Sequence, residues 1–101
     1  MKRQRTSVPP SILEVIKNEE CAWSEHATDS RFRLGLEWAD VIEVARTATS
    51  RKRAKDKQRS GQYVNAIIGR DRRGRKMYMA GKVISYEGKR HWYVITIHEA
   101  D

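Results

Sequence analysis

Three apolar runs close to the end of the chain, separated by short connections that carry glycine, leave few folds open to it. Residues 62–69 (QYVNAIIG), 75–86 (RKMYMAGKVISY) and 90–98 (RHWYVITIH) are rich in Val, Ile, Tyr and Trp, and are joined through Asp71-Arg72-Arg73-Gly74 and Glu87-Gly88-Lys89. Such punctuation predicts three strands in an antiparallel meander. Side chains alternate along a strand. Trp92, Val94, Thr96 and His98 are therefore expected on one face of the last strand, and His91, Tyr93, Ile95 and Ile97 on the other. On the middle strand Lys76, Tyr78, Ala80, Lys82, Ile84 and Tyr86 alternate with Met77, Met79, Gly81, Val83 and Ser85, and Gly81 marks a place where a bulge would shift the phase. Both faces mix apolar and polar groups, which predicts one face packed on helices and one left partly open as a working surface.

The residues upstream read as the covering helices. Residues 1–10 form a flexible basic tail ending in Val8-Pro9-Pro10, and residues 11–101 a single domain. Ser11-Ile12-Leu13-Glu14 has the S-x-x-E form of a capping box, so a short helix is expected over 12–19. Ser24 is a natural cap for a second helix running to Leu34, which Gly35 ends in a left-handed turn. On it His26, Asp29, Ser30 and Arg33 share one face, while Ala27, Phe32 and Leu34 are offered to the core. A third helix over 38–48 carries an apolar stripe of Trp38, Val41, Ile42 and Ala45, although Glu37 is a poor cap. Residues 49–61 lose all periodicity and read as a charged loop in preference to an extension of that helix. The fold class that results is α+β, with N-terminal helices packed on a twisted antiparallel sheet.

Charge adds a direction to this frame. Residues 51–76 hold eleven Lys or Arg against Asp56 and Asp71, a local net of +9 in a chain of net +8, while residues 11–45 carry eight acids against three bases. A field so segregated steers a polyanion to one face, either nucleic acid or an acidic protein; the plain alternative is a solvated basic loop. The single cysteine, Cys21, leaves no disulfide framework and fits a reducing compartment. No apolar run approaches the roughly 18 residues of a membrane span, and the basic start leads into prolines in place of a signal core, so a cytosolic setting is expected.

Several chemistries are missing from the sequence. His26, His91 and His98 have no metal-ligand spacing, residues 69–74 do not match a phosphate loop, and no serine nucleophile motif occurs, so neither metal nor cofactor is expected. Histidines, arginines, lysines and tyrosines beside a basic segment suit metal-independent RNA cleavage. There a base removes the 2′-hydroxyl proton, cations stabilise the phosphorane and an acid protonates the leaving 5′-oxygen. Imidazole titrates near neutrality and serves both proton roles; guanidinium grips phosphate through paired donors.

Ser24-Glu25-His26-Ala27, the Arg-bearing helix after it, Gly35-Leu36, Asp40-Val41, Gly74-Arg75 onward and the closing Ile95-Thr96-Ile97-His98-Glu99-Ala100-Asp101 carry a resemblance. They resemble small bacterial proteins that begin roughly S-x-H-A-x-x-R-M-x-x-R-G-I followed by D-V and end T-V-Y-E-P-D. That group looks like a branch of the RelE/ParE/BrnT-like toxin superfamily, whose genes commonly lie beside a zinc-finger antitoxin of the MqsA type. The match spans residues 23–101. It implies a compact α+β fold, mRNA cleavage on or off the ribosome, and neutralisation by a cognate antitoxin. The chain departs from the pattern at Ser30 and Leu34, where the group has Arg, and at His98, where it has Tyr.

The functional expectation is a toxin with endoribonuclease activity. His26 acts as base or acid, His98 as complementary proton carrier or phosphate ligand, and Arg33, with Arg31 as substitute, stabilises the phosphorane; Lys82 and Tyr78 line the same surface. Arg70, Arg72, Arg73, Arg75 and Lys76 hold the RNA backbone, with an affinity that falls as salt rises. Trp92 or Tyr63 is available to stack on a base, although each is more naturally a core residue. An antitoxin is expected to cover residues 51–76. The alternative keeps the fold and drops the chemistry: a ParE-like toxin with a protein target, or a nucleic-acid-binding module.

Overall fold

The computed structural model describes residues 8–18, 22–55 and 63–100. In chain order the elements are α1 (Pro10–Asn18), β1 (Ala22–Trp23), α2 (Glu25–Leu34), α3 (Trp38–Arg46), β2 (Ser50–Lys55), β3 (Tyr63–Arg70), β4 (Lys76–Tyr86) and β5 (Lys89–Glu99). The strands form one sheet in the order β1-β5-β4-β3-β2. The meander is antiparallel as expected; β1 joins it in parallel through Ala22↔Tyr93 and Trp23↔Val94, so the sheet is mixed. Most of the expected tail and the distal half of the expected loop lie outside the described residues.

All three helices cover one face. Ile67, Met77, Met79, Trp92, Val94 and Ile97 from the sheet are wholly buried against Val15, Ile16, Ala27, Val41 and Val44. Val8, ahead of the first helix, also reaches this core. Burial of this apolar area is the dominant stabilising term, worth about 25 cal/mol per Å². Close approach of α3 to β3 requires Gly69, where a Cβ would collide with the carbonyl oxygen of Val44.

Four sequence expectations are corrected. Residues 50–55 are a strand, not a loop. As an edge strand at the margin of the covered face β2 buries little, so its sequence carries no apolar alternation to betray it. The third helix stops at Arg46 because the Thr47 hydroxyl donates to the carbonyl of Glu43 at 2.7 Å and accepts the amide of Arg70 at 2.8 Å, tying the chain to β3. Phe32 is not core but 76% exposed, since the inward stripe of α2 is Ala27, Ser30, Arg31 and Leu34.

The fourth correction concerns β5. Ala80 pairs with Thr96 but Gly81 with Val94, which leaves Ile95 as an extra residue and flips the alternation beyond it. Ile97 therefore turns inward with Trp92 and Val94, while Thr96 and His98 join Tyr93 on the face that no described helix covers. Glycine at 81 makes this possible, because a Cβ there would sit 2.5 Å from Cζ2 of Trp92. Ser24 holds the bulge: its hydroxyl donates to the carbonyl of Ile95 at 2.5 Å and accepts the Ala27 amide at 3.0 Å, so one side chain fixes the bulge and caps α2.

Candidate functional site

The bulge brings His98 opposite Tyr78 on the open face. Their rings stack with centroids 4.9 Å apart and planes 25° from parallel. His98 is exposed, and its Nδ1 lies 2.9 Å from the carbonyl oxygen of Glu99. A carbonyl can only accept, so in the neutral ring Nδ1 holds the proton and Nε2 is the basic nitrogen.

Beside this pair the register aligns Ala66, Ala80 and Thr96, three small side chains on three neighbouring strands. Ile68, Tyr78 and His98 rise on one side of that row, Lys82 and Tyr93 on the other. Tyr78 and Lys82 are four residues apart along β4, about 13 Å at the rise of a strand. The register thus sets the Tyr78–His98 stack on one side of a row of three small side chains and Lys82 with Tyr93 on the other. Ala66, Ala80, Thr96 and Tyr93 were not singled out from sequence; the bulge had to be placed before Thr96 was seen to share a face with Ala80.

His26 and the helix arginines lie elsewhere. His26 is exposed on the first turn of α2, in the helical layer, and no described contact joins it to His98, Tyr78 or Lys82. Arg33, also exposed, donates to the Ser30 hydroxyl at 3.2 Å. Arg31 lies 4.7 Å over the Trp23 ring and donates to the carbonyl of Leu36, and Trp23 in turn packs edge-on against Trp38 at 5.6 Å. Arg31 thus braces the turn between α2 and α3.

The five cations expected to hold the RNA backbone divide into two kinds. Arg72 donates from its backbone amide and Nε to Oδ1 of Asp40, both at 3.1 Å, and reaches Glu37 at 3.5 Å. Arg75 pairs with Asp71 at 2.7 Å and donates to the last carbonyl of α2, Leu34, at 3.0 Å. These two are fasteners. Arg70, which donates to the Gly74 carbonyl, Arg73 and Lys76 remain exposed at the same end of the sheet.

Two buried carboxylates organise that corner. Asp71 accepts the amides of Arg73 and Arg75 at 3.0 and 2.9 Å and so shapes the β3–β4 turn, where Gly74 takes a φ of 82°. Asp40 receives the Glu37 amide at 2.9 Å at the start of α3. Burial pushes the Asp40 carboxyl up, but the hydrogen bonds from Arg72 and Glu37 and the Arg72 charge outweigh it and hold the group below the usual carboxylate range. The same partnership raises Arg72 above the ordinary arginine value.

Comparison with protein-family models, with curated proteins and with solved structures found no match. No described helix is long and apolar enough to cross a membrane.

Proposed function

We propose that the protein is a metal-independent endoribonuclease of the toxin kind, acting on RNA laid across the open sheet face. The observation that carries this reading is the His98–Tyr78 stack, with Lys82 on the same sheet face across the row of Ala66, Ala80 and Thr96. In this scheme Nε2 of His98 takes the proton of a 2′-hydroxyl, the freed oxygen attacks the adjacent phosphorus, and the P–O5′ bond breaks. Lys82 stabilises the charge on the phosphorane, and the Tyr78 hydroxyl supplies the proton that O5′ gains. The products are a 2′,3′-cyclic phosphate and a 5′-hydroxyl. Arg70, Arg73 and Lys76 take backbone phosphates at the sheet end, while His26 and Arg33 contact RNA running past the edge of α2. A cognate antitoxin covering residues 51–76 would neutralise the charge and block the substrate.

A second reading is favoured by the distance between layers: with His26 and His98 on different layers, and Arg72 and Arg75 committed to carboxylates, the same surface suits binding without cleavage. Mass spectrometry of RNA incubated with the protein in chelator separates the two. Cyclic-phosphate ends on native RNA, and no cut where the scissile nucleotide is 2′-deoxy, support the enzyme. RNA recovered bound and intact supports the binding module.

A further inference from the structure

The two edges of the sheet are built differently. β1 is two residues long and too short to template another strand. β2 keeps unbroken register with β3 over six residues, from Ser50↔Ile68 to Lys55↔Tyr63, and no described strand pairs with its outer side. Proteins blunt such edges with shortness, proline, bulges or charge. In the segment Ser50-Arg51-Lys52-Arg53-Ala54-Lys55 charge is the sole device used.

The direction of its main-chain groups follows from one bond. The Thr49 amide donates to the Ile68 carbonyl at 2.7 Å, so Ile68 turns its polar groups toward β2. Alternation along an antiparallel ladder then points Ser50, Lys52 and Ala54 at β3, and the N–H and C=O of Arg51 and Arg53 outward. Both arginine side chains are held in place: Arg51 donates to Oδ1 of Asn65 at 2.7 Å, and the Arg53 guanidinium lies 4.0 Å over the Tyr63 ring. They stand on the face the helices cover, whereas Lys52, opposite Ala66, stands on the open one. The edge thus offers paired donors and acceptors flanked by cations above and below.

The geometry points to β2 as the docking edge for an extended acidic segment of a partner protein, added to the sheet as a sixth strand. A second copy of this chain does not fit, because β2 against β2 sets like charges side by side. Nucleic acid does not fit the edge either: the outward carbonyls of Arg51 and Arg53 would face phosphate oxygens, while a peptide strand supplies N–H and C=O in alternation. Acidic side chains on that strand meet Arg51 and Arg53 on one face or Lys52 on the other. This docking does not depend on RNA cleavage and stands or falls separately from it.

The test uses the full chain and a labelled seven-residue peptide alternating Glu and Val, followed by fluorescence anisotropy and amide hydrogen exchange. The expected result is saturable binding that slows exchange of the Arg51 and Arg53 amides at least tenfold and leaves Lys52 unchanged. Methylating two adjacent backbone nitrogens of the peptide keeps its charge but blocks both of its edges, and is expected to weaken binding at least tenfold. Equal binding of the methylated peptide, or binding without protection at Arg51 and Arg53, overturns the proposal. So does the absence of binding, or protection of the same two amides by a single-stranded oligonucleotide of equal charge.

Discussion

Two tryptophans show how a single polar atom changes the worth of a buried ring. Trp38 donates its indole N–H to the carbonyl of Ile16 at 2.8 Å, whereas the indole nitrogen of Trp92 is buried with no described partner. Both rings fill core. Trp38→Phe leaves the Ile16 carbonyl unpaired and is expected to cost about 1–2 kcal/mol more than Trp92→Phe, read as the difference in chemical denaturation free energies. Equal losses would mean that the Trp38 bond contributes nothing net. At this scale the sequence was a fair guide to identity and a poor one to role. Helical phase favours Arg33 over Arg31 as a phosphate ligand, but the sequence does not show that Arg31 lies over Trp23 while Arg33 stays exposed. Arg72 and Arg75 are indistinguishable in sequence from Arg70 and Arg73, because their carboxylate partner or carbonyl lies up to 41 residues away in the chain.

Among the elements, α2 with its serine cap and Gly35 terminus, and the three strands of the meander, were legible because each is specified locally, by capping chemistry, turn residues and alternation. β1 and β2 were not, and the bulge was legible only in part: Gly81 marked its place, but not that the extra residue would be Ile95 on the neighbouring strand. Each is fixed by what lies across the sheet: a parallel partner, a neighbour's backbone, and the room Gly81 leaves for Trp92. The docking of α3 is open to two tests. Gly69→Ala drives a methyl into the Val44 carbonyl and is expected to destabilise by about 3 kcal/mol, at the upper end of overpacking costs. Unchanged stability would show that helix and strand separate freely. Asp40→Asn removes the charge that ties the start of α3 to the β3–β4 turn, at an expected cost of about 2 kcal/mol at neutral pH. Because the folded-state pKa of Asp40 lies below its unfolded value of 3.8, its contribution is present above that value and is lost as pH falls through the folded one. The gap in melting temperature between the wild-type protein and Asp40→Asn should therefore hold from pH 7 to about pH 5 and close below about pH 4. A gap that persists in acid would contradict the ion-pair account.

For the whole molecule, the proposed chemistry turns on which layer would hold its groups. Sequence placed His26 and His98 in one pocket with the arginines. The structure leaves His26 in the helical layer and, through one inserted residue, turns His98 outward to stack on Tyr78. If RNA is cut on the open face, the two histidines are not equivalent. The measurement is the single-turnover rate of RNA cleavage in chelator by wild-type, His98→Ala and His26→Ala proteins of matched stability. His98→Ala is expected to slow the reaction by about 10²-fold or more, the usual worth of a proton-transfer group, and His26→Ala by less than about tenfold. A His98→Ala protein that cuts at the wild-type rate, or one in which His26 alone is essential, would contradict the assignment of the chemistry to the sheet.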